Sequence, residues 1–177
     1  MRAFFGAAMP ISLPTPMHVR PLLPADLDAV LRVQAACYPP PMQETAAVVE
    51  ARLDAAAATC LAASDADGVC GYLFAYPSRL GRVTDLGARF EVAPDADTLY
   101  LHDLAVDPRS LGRGLARALV EQMLGLGRGL DLSHAALVAV QDSARFWSGF
   151  GFAARETGDA GLLTYPSGAL YMARALA

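Results

Sequence analysis

The stretch Leu99 to Leu124, LYLHDLAVDPRSLGRGLARALVEQML, holds the residues whose types and spacing most plainly specify chemistry. A run of strand-forming residues enters a turn containing Gly112 and Gly114 and continues as an amphipathic segment. The pattern predicts a buried strand over Thr98–Val106, a glycine turn and a helix from about Gly112 to Leu124. The first N–H groups of such a helix have no intrahelical partner, and the macrodipole adds partial positive charge to them, so the turn is built to receive phosphate. Gly112 and Gly114 let the backbone approach an anion without an intervening Cβ, and Arg113 and Arg117 can add side-chain charge. Two other phosphate motifs are excluded. The dinucleotide fingerprint G-x-G-x-x-G needs Gly or Ala at position 117, which is Arg, and the P-loop needs G-K-[ST], which is absent. Gly125, Gly127 and Gly129 read as the helix C-cap and the loop after it.

That turn needs a sheet and flanking helices to hold it. His18–Leu22 reads as a short strand. Pro24-Ala25-Asp26 opens a helix that Pro39-Pro40-Pro41 ends abruptly, since three prolines cannot continue it. A second helix over about Thr45–Ala58 carries Glu50, Arg52 and Asp54 outward. Strands over Cys60–Ser64 and Val69–Tyr76 meet at Asp65-Ala66-Asp67-Gly68, a hairpin turn. Residues 77–97 have no sustained period, and a connection of that length suits a lid. After the glycine-turn helix come a strand at Ala135–Val140, a short helix over Ser143–Ser148, and two strands near Phe152–Arg155 and Ala169–Ala175. The order is that of a mixed α+β domain with helices packed on a central sheet.

With 177 residues, one domain is expected, and a net charge of −4 with 18% charged residues provides no basic field for nucleic acid or an anionic membrane. No apolar run approaches the roughly 18 residues a spanning helix needs. Cys37, Cys60 and Cys70 are odd in number and lack C-x-x-C spacing, which suits reduced thiols in a cytoplasmic protein. Residues 1–16, interrupted by Pro10, Pro14 and Pro16, read as a loosely structured leader or a mis-assigned start ahead of a domain spanning 17–177. His18, His102 and His134 are scattered without ligand spacing, so no metal is expected.

The strand, turn and helix resemble the GNAT (N-acetyltransferase) superfamily, whose defining stretch is a strand ending near V-x-P followed by [QR]-x-x-G-x-[GA]. Arg109–Gly114 matches the second element literally. The spacing from Val106-Asp107-Pro108 favours instead the register Leu111, Gly114, Ala116, in which Leu111 replaces the usual Gln or Arg. Residues 139–152, AVQDSARFWSGFGF, resemble the family's later motif A-x-F-Y-x-x-x-G-F through Ala144, Phe146, Gly151 and Phe152, with Trp147 at its frequent Tyr. The resemblance implies a central mixed sheet splayed at its middle strands, helices on both faces, and acetyl-CoA as co-substrate. Leu104, Ala105 and Val106 would pair with the pantetheine arm, and Gly112, Arg113, Gly114, Leu115, Ala116 and Arg117, with Leu111 beside them, would hold the pyrophosphate. Ser143, Phe146 and Trp147 would wall the donor tunnel.

Acetyl transfer to an amine requires a base, an oxyanion donor and a proton for the departing thiolate. His102 is the base candidate, in a string L-H-x-L-A-V that resembles arylalkylamine acetyltransferases; the alternative is a packed strand histidine. Strand alternation sets His102 on one face and Asp103 on the other, making Asp103 a structural partner. The Val106 N–H is the implied oxyanion donor. Trp147 cannot donate its proton as a phenol can, so Tyr171, Tyr165, Ser143 or water must serve as the acid. Glu44, Tyr38 and Phe90 are candidates for the acceptor side, Glu44 either holding a cationic amine or simply solvated. The expected activity is acetyl transfer to a primary amine of a small molecule. A peptide or protein amine is the first rival and a non-catalytic CoA-binding module, suggested by Leu111 and Trp147, the second. A homodimer is allowed for.

Overall fold

The computed structural model describes residues 17–176; the leader expected over residues 1–16 lies outside them. Seven strands, β1 (His18–Pro21), β2 (Cys60–Asp65), β3 (Gly68–Ser78), β4 (Thr98–Val106), β5 (His134–Ala139), β6 (Ala153–Ala154) and β7 (Leu170–Ala175), form one sheet in the order β1-β2-β3-β4-β5-β7-β6. Every neighbouring pair is antiparallel except β4 and β5. Helices α1 (Leu27–Cys37) and α2 (Ala46–Ala56) cover one face through Val30, Val33, Val49 and Leu53, packed on Tyr72, Phe74 and Tyr100. Helices α3 (Leu115–Gly129) and α4 (Ala144–Ser148) cover the other through Leu119, Met123 and Trp147, packed on Leu73, Leu99, Leu101 and Leu137. No helix among the described residues is long and apolar enough to cross a membrane.

Three local expectations are corrected. Helix α3 begins at Leu115, not Gly112, because Gly112 (φ 76°) and Gly114 (φ 80°) are left-handed and lie outside helical geometry. It also runs through Gly125, Gly127 and Gly129 instead of stopping at them. A Cβ at position 127 would stand 2.9 Å from Leu176 and 3.1 Å from Leu99, so that glycine permits close helix–sheet packing. On α2, Arg52 points inward and is 2% exposed.

Two irregularities in β4 shape the site. Its pairing with β5 runs only from Thr98↔His134 to Leu101↔Leu137, while β5 stays paired with β7 as far as Ala139↔Leu170, so the two strands part beyond Leu101. On its other edge the register with β3 passes from Leu101↔Ala75 to Asp103↔Phe74, leaving His102 as an extra, bulged residue. The bulge reverses the side-chain alternation. Leu101 and Leu104 both pack toward α3, whereas Tyr100 and Ala105 belong to the α1/α2 face.

Candidate functional site

Where β4 and β5 part, a cleft of about 260 Å³ opens between them. Leu104, Val106, Leu111 and Ala116 line one wall; Val138, Ser143, Phe146 and Trp147 line the other; Tyr38, His102 and Asp103 also border it. Val106 and Leu104 direct their N–H and C=O groups into the parting. The adjacent Asp107 N–H bonds to Cys70 O of β3 at 2.8 Å, and the peptides of an extended strand alternate in direction. Ala105 therefore faces its backbone to β3, and its side chain is buried against the other core.

The turn Gly112–Arg117 sits between two cleft-lining residues, Leu111 and Ala116, and offers the free N–H groups of the first turn of α3. Its arginines are engaged elsewhere. Arg113 donates from Nη1 to Asp65 Oδ2 at 2.5 Å, at the tip of the β2–β3 hairpin. Arg117 donates to Glu121 Oε1 at 3.3 Å, and its guanidinium lies 5.1 Å over the Phe150 ring centroid. What the turn presents is therefore chiefly backbone. Leu111 is 65% exposed at the mouth of the cleft, beside a half-covered Phe146.

The other end of the cleft is made of side chains. Asp103 accepts hydrogen bonds from Tyr38 Oη (Oδ1, 2.7 Å) and Tyr72 Oη (Oδ2, 2.9 Å), and it forms no salt bridge among the described residues. Burial first, and then the Asp103 charge, raise both phenols well above their ordinary pKa of 10, so they stay protonated. The expectation that Asp103 lies on the face opposite His102 fails because of the bulge: its partners come from the α1/α2 side. The His102 side chain is 3% exposed. Its Nε2 lies 3.5 Å from Glu44 Oε1, and its Nδ1 is buried without a hydrogen-bond partner. Burial, reinforced by the Arg52 charge, lowers its pKa to about 3 against an opposing contribution from Asp103, so the imidazole is neutral at physiological pH.

Glu44 is neither solvated nor open to the cleft. Its carboxylate forms a two-pronged ion pair with Arg52, the two side chains being 5% and 2% exposed. Gln34 clasps both backbone groups of Glu44, at 2.9 and 3.1 Å. Arg52 donates also to Ala88 O, and Gly87 N–H reaches Glu44 Oε1 at 3.2 Å, so the pair ties the 77–97 loop to α2. Burial lowers the Arg52 pKa to about 10. Phe90, expected at the acceptor wall, is buried in that loop, stacked on Tyr76 at 4.4 Å and edge-on to His102 at 5.4 Å. Tyr171 does not join the cleft either. It is buried, and its hydroxyl accepts from Gly81 N–H at 2.8 Å, while Tyr165 donates to Thr84 O at 2.8 Å; both phenols anchor the same loop. Sequence reasoning thus missed Arg52, Gln34 and Tyr72. An arginine in line with Val49, Leu53 and Ala56 on α2 was the available signal for the first.

The sequence matches the Acetyltransferase (GNAT) family over residues 27–152. No curated protein matches it. Among solved structures it is similar to the loading GNATL domain of CurA from Lyngbya majuscula (11% identity, TM-score 0.74, covering 91% of this chain and 98% of that one). It is similar too to Ard1 from Thermoplasma volcanium (20%, 0.68, 90% and 97%) and to the PaiA N-acetyltransferase from Thermoplasma acidophilum in complex with coenzyme A (11%, 0.68, 90% and 99%). Identities this low carry the fold alone.

Proposed function

The chain belongs to the GNAT acetyltransferase family, and from that premise we propose that it transfers an acetyl group from acetyl-CoA to the primary amine of a small molecule. The observation that carries this reading is the parting of β4 from β5 between the Gly112–Arg117 turn and Asp103. An extended amide-bearing arm suits the unpaired edge at Leu104 and Val106, and a pyrophosphate suits the N–H groups opening α3. With the phosphates there and the thioester toward His102, the Val106 N–H faces the carbonyl oxygen that becomes anionic on attack. Phe90 of the 77–97 loop packs edge-on to His102 at that end of the cleft, and an end covered by the loop favours a small amine.

Asp103 supports an amine in particular. It is a cleft-lining carboxylate held by two neutral phenols, and a substrate ammonium there would supply the counter-charge it lacks. His102, with a pKa near 3, is too weak a base to take a proton from an ammonium in the resting site. Its unpartnered Nδ1 can still accept a hydrogen bond from the attacking nitrogen, whose proton leaves to solvent. With Tyr171 and Tyr165 committed to the loop, the thiolate draws its proton from water or through Ser143.

Amine-dependent release of free CoA is the test. Small primary amines are expected to give turnover with acetyl-CoA, and peptides bearing a free N-terminus are not. Turnover confined to the peptides would replace the small-molecule acceptor, and no release with any amine would remove the activity.

A further inference from the structure

The Glu44 carboxylate receives donors at both oxygens. Arg52 grips the pair, its Nη2 reaching Oε1 at 2.6 Å, and the Gly87 N–H reaches Oε1 at 3.2 Å. The other side chain within hydrogen-bond distance, among the described residues, is His102, whose Nε2 lies 3.5 Å from Oε1. That separation is long, as catalytic contacts often are before a ligand binds. An ionised carboxylate can only accept, so a hydrogen bond there requires the proton to sit on Nε2, and a neutral imidazole carries one such proton. His102 Nδ1, buried and without a partner, is therefore a bare lone pair and not an unsatisfied donor.

Three elements hold this geometry. Gln34, buried on α1, bonds to the N–H and C=O of Glu44 and so fixes the backbone beneath the carboxylate. Arg52, from α2, fixes its charged end and also donates to Ala88 O of the loop. On β4, the bulged His102 faces the pair, with Phe90 packed edge-on against its ring at 5.4 Å. A lone buried carboxylate beside a histidine would favour the imidazolium; here the Arg52 guanidinium offsets that charge and the ring stays neutral. We propose that Glu44 is a positioning residue that holds His102 as the Nε2–H tautomer, so that Nδ1 meets the attacking amine as an acceptor. The proposal rests on the acetyl-transfer reading, within which it names the side chain that orients the hydrogen-bond partner of the nucleophile.

Imidazole NMR of the 15N-labelled full chain at neutral pH tests this, with the His102 ring signals identified by their loss in His102→Gln. In the wild type, Nε2 is expected to be protonated, its proton shifted downfield by the carboxylate, and Nδ1 to be bare. A protonated Nδ1, alone or together with Nε2, would overturn the proposal whatever any variant does. Glu44→Asp keeps a charge opposite Arg52 but withdraws the carboxylate from Nε2 by one methylene. In that variant the Nε2 proton is expected to move upfield and the two ring nitrogens to shift toward an average of the tautomers. The kcat for an amine acceptor should fall about threefold to tenfold, the span of one modest hydrogen bond, while the Kd for CoA stays within about twofold. Ring signals that stay in place, or that move with kcat unchanged, would also overturn it. If the variant does not fold, the wild-type ring decides. If the wild type turns over no amine, the acetyltransferase reading falls, while the ring signals still decide whether Glu44 sets the tautomer.

Discussion

The two ends of the cleft are made of different material. The end at Gly112–Arg117 is backbone, consisting of left-handed glycines and the free N–H groups of a helix start, with its arginines turned to Asp65 and Glu121. The end at Asp103 is side chain. Tyr38 comes from the end of α1, Tyr72 from β3, His102 from a bulge, and the Glu44–Arg52 pair behind it from the segment around α2. Backbone groups bind what phosphates and amides have in common, whereas side chains can differ from one acceptor to the next. A donor common to a family belongs at the first end, and specificity for an acceptor at the second.

The strongest way to break this contrast is at Arg52. Arg52→Met leaves the buried Glu44 carboxylate without its partner and the 77–97 loop without its tie to α2, so stability should drop by about 3–5 kcal/mol in denaturant unfolding. A variant as stable as the wild type would mean that the side-chain end is not held by this pair. Asp103→Asn sharpens the contrast on the chemical side. It removes the counter-charge to a substrate ammonium, so kcat/KM for the amine should fall roughly 100-fold while CoA binding stays within about twofold, whereas a comparable loss of CoA affinity would mean that the two ends are not separate.

His102 adds a pH signature. Its folded pKa of about 3 lies below the ordinary 6.5, so between these values the unfolded chain binds the proton and the folded one does not. The contribution to stability is fully present above pH 6.5 and is lost as pH falls toward 3, at up to about 1.4 kcal/mol per pH unit. His102→Gln should flatten that limb relative to the wild type, and parallel curves would show that another group is responsible. The smallest effect is expected at Arg113. Because its guanidinium is spent on Asp65, Arg113→Ala should weaken CoA binding by no more than about threefold, against the much larger change expected if it gripped phosphate directly.

The same contrast explains what the sequence could reveal. Strand β4, the glycine turn and the order of the α-helices and strands among the described residues were legible, because hydrophobic period and glycine conformation are local properties. The residues that the family resemblance implied for the donor, Leu104, Val106, Leu111, Ala116, Ser143, Phe146 and Trp147, are among those lining the cleft between β4 and β5. The side-chain end was not legible. A single bulged residue put Asp103 on the face strict alternation denies it, and although Arg52 falls in line with Val49, Leu53 and Ala56 on α2, nothing in the sequence pointed to Glu44, eight residues earlier, as its buried partner. Gly127 misled for a related reason: its value lies in contact with Leu99 and Leu176, which are distant in sequence.

The most direct test of the central claim is the thermal midpoint with and without acetyl-CoA, measured for the wild type and for Ala116→Glu. Position 116 lines the cleft in the first turn of α3, where a carboxylate favours the helix but blocks a phosphate-bearing ligand. The wild type should be stabilised by about 2.7 kcal/mol at 100 times the dissociation constant, and the variant, folded and no less stable alone, should not respond. Equal responses from both proteins, or none from the wild type at millimolar acetyl-CoA, would contradict the assignment of the β4–β5 cleft as the donor site.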